Sequence, residues 1–162
     1  MEQTRGYIYG INGPVIKVKG SDRFQMQEMV YVGHEKLIGE VIGVTDTNAI
    51  VQGYEDTCGL KLDEEVIGTG GPLCITLGPG IISNIFDGIQ RPLVDIEKHF
   101  GSFIGRGVDF SALDKDKKWK VTFTAKVGDT VKPGDVFAET PETSLIMHKI
   151  MVPNGIDGKI TW

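Results

Sequence analysis

The side chains able to do chemistry lie scattered along these 162 residues, and their spacing decides what they can do together. His34, His99 and His148 are separated by long stretches, and none stands at the i, i+4 or short-loop spacing of a metal pair. Cys58 and Cys74 are each alone, far from the CxxC spacing that holds zinc, and read as buried thiols of a reducing compartment. No metal centre is expected. A phosphate loop needs GxxxxGK followed by Ser or Thr, because backbone amides cradle the phosphates while the lysine and hydroxyl serve the γ-phosphate and Mg²⁺. The Gly-Lys pair of this sequence, Gly158-Lys159, is followed by Ile160, which offers no hydroxyl. Two glycine clusters, Gly68-Thr69-Gly70-Gly71 and Gly101-Ser102-Phe103-Ile104-Gly105-Arg106-Gly107, lack GxGxxG between a strand and a helix. After the first, Pro72 opens a strand where a dinucleotide fold demands a helix, so turn formation explains it. No GxSxG elbow is present, which removes the usual frame for a serine nucleophile.

The elements that must position these residues are mainly β. A composition of 40% hydrophobic and 24% charged residues is that of a soluble globular chain able to bury a core. The net charge is -5 and the basic residues form no stripe, which excludes nucleic acid as a partner. The longest basic run, Lys115 to Lys120, is broken by Asp116 and Trp119 and reads as a solvated turn. Met1 to Arg5 has no apolar segment behind it, and no stretch approaches the roughly 20 apolar residues of a membrane helix. A cytosolic protein without direct membrane insertion is expected.

Glycines bordering runs of Ile, Val and Tyr indicate short strands linked by tight turns. Tyr7–Ile11 leads through Asn12-Gly13-Pro14 into Val15–Val18, a hairpin pattern; Met29–Val32, Leu37–Val44, Ala49–Tyr54 and Leu73–Leu77 supply four more strands. Gly10, Gly39, Gly43 and Gly53 fall inside these runs, where they permit the sharp curvature of a small closed barrel. Gly78-Pro79-Gly80 then breaks the pattern. Apolar residues at 81, 82, 85 and 86 predict a short helix over Ile81–Phe86. A second helix follows Pro92, with Leu93, Ile96 and Phe100 on one side and Gly101 placed to end it. Residues 101–118 read as a long loop. Strands are then expected over Trp119–Val127, Val136–Ala138, Leu145–Val152 and Lys159–Trp162, the last barely begun, so the chain is expected to be a fragment.

Val127 to Thr140 is similar to the hairpin of biotinyl and lipoyl carrier domains, which display a modifiable lysine in the tight turn shortly after a Glu-Thr pair. Here that turn holds Pro141 and Glu142, and Lys149 falls later, inside a strand-like run. The stretch therefore reads as a barrel-sandwich framework without the carrier function, and a carrier or its unmodified relative stands as the alternative.

The whole chain resembles the A subunits of V-type and archaeal-type rotary ATPases. The resemblance rests on Ile11-Asn12-Gly13-Pro14-Val15, the run Val32 to Ile42, Gln52 to Leu60, Gly68 to Leu73, Leu77-Gly78-Pro79-Gly80, and Ile85-Phe86-Asp87-Gly88-Ile89-Gln90-Arg91-Pro92-Leu93. Asp114 to Trp119 and Pro141 to Pro153 resemble the β-rich bulge inserted in A subunits but not in the non-catalytic B subunits.

The resemblance implies a barrel over residues 1–77, a helical connector over 78–100, and over 101–162 a partial bulge domain, truncated at its C-terminus. It implies that the barrels of A and B subunits clamp an alternating hexamer, with edge strands supplying contacts, and that the bulge faces peripheral-stalk subunits. The parent would couple ATP hydrolysis or synthesis to proton or sodium ion transport, as a cytoplasmic, peripheral part of a membrane-bound complex. ATP and Mg belong to that parent; no catalytic, cofactor or metal residue is carried over to this fragment. The structural and interface candidates are Gly39, Gly43, Asp87, Gly88, Gln90, Arg91 and Pro92. An independent enzyme would instead show a concave pocket with convergent titratable groups.

Overall fold

A computed structural model describes residues 3–20, 23–82, 84–108 and 110–161. Parts of several expectations fall outside the described residues: Met1, Glu2, Ser21 and Asp22 of the barrel expected over 1–77, Ser83 of the helix expected over Ile81–Phe86, Asp109 of the loop expected over 101–118, and Trp162 of the final strand. The chain divides into two compact units, Met1–Ile75 with Asp95–Phe110, and Thr76–Val94 with Ser111–Trp162.

In the first unit, period-2 alternation drives each strand to present one apolar face inward. In β2 (Val15–Lys19), Ile16 and Val18 are buried while Lys17 and Lys19 are exposed. With β1 (Arg5–Asn12), β3 (Glu28–Val32), β4 (Leu37–Val44), β5 (Asn48–Gly53) and β6 (Glu65–Pro72), the strands close into an antiparallel barrel in the order β1-β2-β5-β4-β3-β6, with β6 pairing back onto β1. The core is filled by Ile8, Ile16, Val18, Phe24, Val30, Val32, Leu37, Val41, Ala49, Val51 and Val66. At about 1.5–3 kcal/mol for each fully buried aliphatic side chain, this interior is the main stabilising element of the unit.

Closure corrects one expectation. Each barrel strand has a hydrogen-bonded neighbour on both sides, so contacts to other chains must come from the outer face and the loops rather than from edge strands. A second correction concerns the sixth strand, which is Glu65–Pro72 and not Leu73–Leu77. The glycine run that reads as a turn is drawn into the sheet by pairing with β3, Gly68 opposite Val30 and Pro72 opposite Glu28, and it lies over the buried Phe24 and Glu28. A Cβ on Gly68 would fall 2.2 Å from Glu28 Oε1 and 3.0 Å from Phe24. Glycine is what lets strand and interior approach.

The second helix is α1 (Leu93–Phe100), closed as expected by Gly101 at φ 71°, whose amide donates to the Glu97 carbonyl at 2.8 Å. Ile96 is its buried residue. The first expected helix does not form. Phe86 bridges Pro92 in an antiparallel pair and the Leu93 amide donates to the Ile85 carbonyl at 2.9 Å, which draws the backbone into extended pairing. Six residues are too few to nucleate a helix against that competition.

The second unit contains the short strands β7 (Thr122–Phe123), β8 (Thr130–Val131), β9 (Val136–Pro141), β10 (Met147–Met151) and β11 (Gly158–Lys159). They form a sheet in the order β10-β9-β7 and a pair β11-β8, shorter than the strands expected over Trp119–Val127 and Leu145–Val152. Its turns repeat one device. In Lys126-Val127-Gly128-Asp129 and Lys132-Pro133-Gly134-Asp135 the glycine takes φ 99° and 88°, and the Asp carboxylate accepts the amide of the lysine three residues earlier at 2.8 Å.

Candidate functional site

The loop Phe86–Pro92 of the second unit is built around one carboxylate. Asp87 Oδ1 accepts the amides of Ile89 (3.0 Å) and Arg91 (2.8 Å), and Oδ2 accepts Arg91 Nε at 2.7 Å. Both side chains are largely buried, at 10% and 15% exposure for Arg91 and Asp87. Burial pushes the Asp87 carboxyl up, but the Arg91 amide, the Arg91 guanidinium and the Ile89 amide outweigh it and hold the group below the usual carboxylate range. Gln90 sits at φ 64°, and its side-chain amide clasps the backbone of Thr76, accepting from the amide at 2.7 Å and donating to the carbonyl at 2.8 Å. Gly88 has open space where a Cβ would stand, and Pro92 closes the loop against Phe86. Asp87, Gln90, Arg91 and Pro92 are thus brought together in a preformed loop, with Gly88 at its open edge.

Gly39 and Gly43 lie apart from it, on β4. A Cβ on Gly39 would fall 2.8 Å from Val51 Cγ1 and 2.9 Å from the Gln52 carbonyl oxygen, whereas one on Gly43 would meet Ile50 at an ordinary 3.5 Å. A side chain would be crowded at the first and in ordinary contact at the second. On the outside of the barrel the Tyr54 hydroxyl donates to Glu40; that hydrogen bond, burial and the Glu40 charge push Tyr54 up to about 12.

The residues weighed for chemistry are used differently. The Gly70 amide, a donor a phosphate would need, is taken by Glu28 Oε1 at 2.8 Å, and the Glu28 carboxylate also accepts the Gln25 amide at 2.9 Å. The other glycine cluster forms a strap within the first unit. Arg106 pairs with Glu35 at 3.0 Å, the Gly107 amide donates to Glu55 at 2.8 Å, and a Cβ on Gly107 would fall 2.1 Å from the Glu35 carbonyl oxygen. Nothing in the one-dimensional sequence joins 35 and 55 to 107.

His34 lies 3.7 Å from Glu64, the His99 ring nitrogen Nδ1 lies 2.8 Å from the Asp95 carbonyl of its own helix, and His148 lies 3.3 Å from Glu142. Among the described residues no group of three His, Cys, Asp or Glu side chains could hold a metal ion. The cysteines correct an expectation: both thiols are exposed and free. Cys58 is held at the surface by the Asp56 turn, in which the Cys58 amide donates to Asp56 at 3.0 Å, and the hydrogen bond and charge of Asp56 push its thiol up. In the basic run, Lys117 stacks over Trp119 at 4.1 Å. Lys149 stands in the middle of β10, opposite Glu139.

Concave surface is present in each unit. A cleft of about 490 Å³ in the first unit is lined by His34, Glu35, Leu60, Lys61 and Glu64. Its central carboxylate, Glu64, accepts the His34 amide at 3.3 Å and the Lys61 amide at 3.2 Å, so it shapes the loop. In the second unit an apolar groove of about 660 Å³ is lined by Phe123, Val127, Val131, Phe137, Val152 and Ile160.

Residues 8–70 match the model of the ATP synthase alpha/beta family β-barrel domain, and residues 110–162 that of the ATP synthase alpha/beta subunit barrel-sandwich domain. The chain is 52% identical over 161 residues to the V-type ATP synthase alpha chain 2 of Clostridium tetani, covering 99% of this chain and 27% of that protein. It is 50% identical over 156 residues to the V-type ATP synthase alpha chain of Halothermothrix orenii, covering 96% and 26%. To the A subunit of the A-type ATP synthase of Pyrococcus horikoshii it is 49% identical over 157 residues, covering 97% and 16%. The chain therefore spans about a quarter or less of the length of these relatives.

Proposed function

The chain belongs to the ATP synthase alpha/beta family, of which it carries the β-barrel and barrel-sandwich domains, and we propose that it is the structural N-terminal part of the catalytic A subunit of a V-type or A-type rotary ATP synthase. The observation that carries this reading is that the similarity to A subunits covers 96–99% of the chain and so takes in both units.

In this role the barrel clamps a ring of alternating A and B subunits. Its apolar interior and closed pairing make it stiff, which suits an end of the ring that stays fixed while catalytic domains open and close. Neighbouring barrels would be met by the outer faces and loops. Residues 101–162 would be the A-specific bulge, turned towards peripheral-stalk subunits, and the Asp87–Pro92 loop the path from the barrel towards the nucleotide-binding domain. The domain limits of this reading are 1–77, 78–100 and 101–162. ATP and Mg would bind in the rest of the parent, which would couple ATP synthesis or hydrolysis to proton or sodium ion transport at the cytoplasmic side of a membrane. None of the described helices is long and apolar enough to cross a membrane.

Two measurements on the purified chain test the proposal together. Titration with MgATP should give no saturable binding up to about 1 mM, that is, nothing stronger than about −4.1 kcal/mol. Native mass spectrometry with the barrel of a cognate B subunit should detect a complex. Tight MgATP binding, or failure to associate with B in any ratio, would overturn the reading.

A further inference from the structure

The β9–β10 hairpin carries, at the place where a carrier domain displays its lysine, a glutamate that points inward. Glu142 has 2% side-chain exposure. Its Oε1 accepts two backbone amides from a distant segment, Gly80 at 2.7 Å and Ile82 at 2.9 Å, and its Oε2 faces His148 Nδ1 at 3.3 Å across the hairpin. Beyond it the tip is closed on itself. The Glu142 and Thr143 amides donate to the Ile146 carbonyl at 3.0 and 3.3 Å, and Thr143 Oγ1 accepts the amides of Leu145 and Ile146 at 3.3 and 3.1 Å. Leu145, at the end of this closed turn, is 93% exposed.

We propose that Glu142 is a latch that fixes the β9–β10 hairpin onto the Gly78–Ile82 segment, making the hairpin a rigid strut that holds Leu145 out in solvent rather than a swinging arm. The geometry of the receiving segment supports it. A Cβ on Gly78 would fall 2.9 Å from Leu113, and one on Gly80, at φ 107°, would meet Trp119 at 3.4 Å, so the segment sits close against its neighbours with its amides turned to the carboxylate. A charged acceptor shared by two amides makes stronger bonds than a neutral one, and losing it removes both bonds that tie the segment to the hairpin. Burial pushes the Glu142 carboxyl up, but the Ile82 and Gly80 amides and His148 outweigh it and hold it below the usual range, so the latch stays charged at neutral pH. Glu142 is a positioning residue here, and the inference stands independently of the assignment to a rotary ATP synthase.

The test is amide hydrogen exchange and backbone relaxation on the chain and its E142A variant. Exchange at Gly80 and Ile82 should accelerate about tenfold or more, the factor carried by a hydrogen bond to a charged acceptor, while amides of the barrel keep their rates. The order parameter at Leu145 should fall from about 0.85 to below about 0.6. Unchanged values at Gly80, Ile82 and Leu145 would overturn the latch, as would acceleration spread evenly over the second unit, which marks general loosening. If E142A does not fold, E142Q decides alone: with an acceptor kept and the charge lost, the same two amides should accelerate about threefold or more, and wild-type rates there overturn the proposal.

Discussion

Replacing Gly39 with alanine should weaken the barrel, and the size of the effect follows from two distances. The added Cβ would lie 2.8 Å from Val51 Cγ1 and 2.9 Å from the Gln52 carbonyl oxygen. A valine methyl can turn away, but the Gln52 oxygen belongs to β5, whose pairing with β4 and β2 holds it in place. Inserting a methyl into a packed interior costs about 1–3 kcal/mol. Removing the freedom of glycine in the unfolded chain returns about 0.4–1 kcal/mol. A net loss of about 1–2 kcal/mol is expected, or, with a urea slope of about 2 kcal/mol/M, a midpoint lower by roughly 0.5–1 M. The control is Gly43→Ala on the same strand, where the Cβ would meet Ile50 at 3.5 Å and the change should stay within about 0.5 kcal/mol. Because the chain has two units, the midpoint should be read from barrel amides such as Val30 and Val51 and not from a global signal. G39A with a wild-type midpoint, or G43A as damaging as G39A, would refute the reasoning.

Glu28→Ala removes the acceptor of the Gln25 and Gly70 amides beneath the β6 strand, and each hydrogen bond to a charged acceptor is worth about 1.5–3 kcal/mol; the same urea experiment should show a loss larger than that of G39A. The Asp87 loop should respond to acid. Its carboxyl is held below the usual range, so its contribution is fully present above the unfolded value of about 3.9 and is lost as pH falls through the lower folded value. The amide shifts of Ile89 and Arg91 should therefore be flat from neutral pH to about 4 and move below it, and in Asp87→Asn that acid transition should disappear.

The parts of the fold legible in the sequence are those where side-chain period alone decides. Ile16 and Val18 against Lys17 and Lys19 mark β2 without any knowledge of its partners, and Pro92 and Gly101 bracket α1 by their own backbone geometry. What is not legible depends on residues distant in the chain. Gly68 to Gly71 has the composition of a turn, and becomes strand by pairing with β3, at a place where Glu28 and Phe24 leave no room for a side chain at Gly68. Ile81 to Phe86 has a helical spacing that loses to the pairing of Phe86 with Pro92. Of the candidate residues, the loop Asp87 to Pro92 is visible as a pattern, yet its clasp on Thr76 through Gln90 is not, nor are Glu35 and Glu55 beneath the Gly107 strap. In the sequence Glu142 is marked only as a residue standing where a carrier lysine would be. Its partners lie some 60 positions away.

Several of these long-range ties share one physical cause. The acidic excess of the chain is used to terminate backbone. Glu28, Glu55, Glu64, Asp87, Asp114 and Glu142 each accept two backbone amides, joining segments such as 25 with 70, 38 with 107, 34 with 61, and 80 with 82. At Asp87 and Glu142 the accepted hydrogen bonds outweigh burial and hold the carboxyl below the usual range, so these two groups are poor proton donors near neutrality. Tyr54 and Cys58, whose acidities are pushed the other way by Glu40 and Asp56, stay protonated there. The same side chains that would have to perform acid–base chemistry are thus the ones that close turns and straps. Removing any one of them should loosen a particular segment, and this dependence of local geometry on single carboxylates is how a chain with short strands and many glycines holds its turns and straps in place.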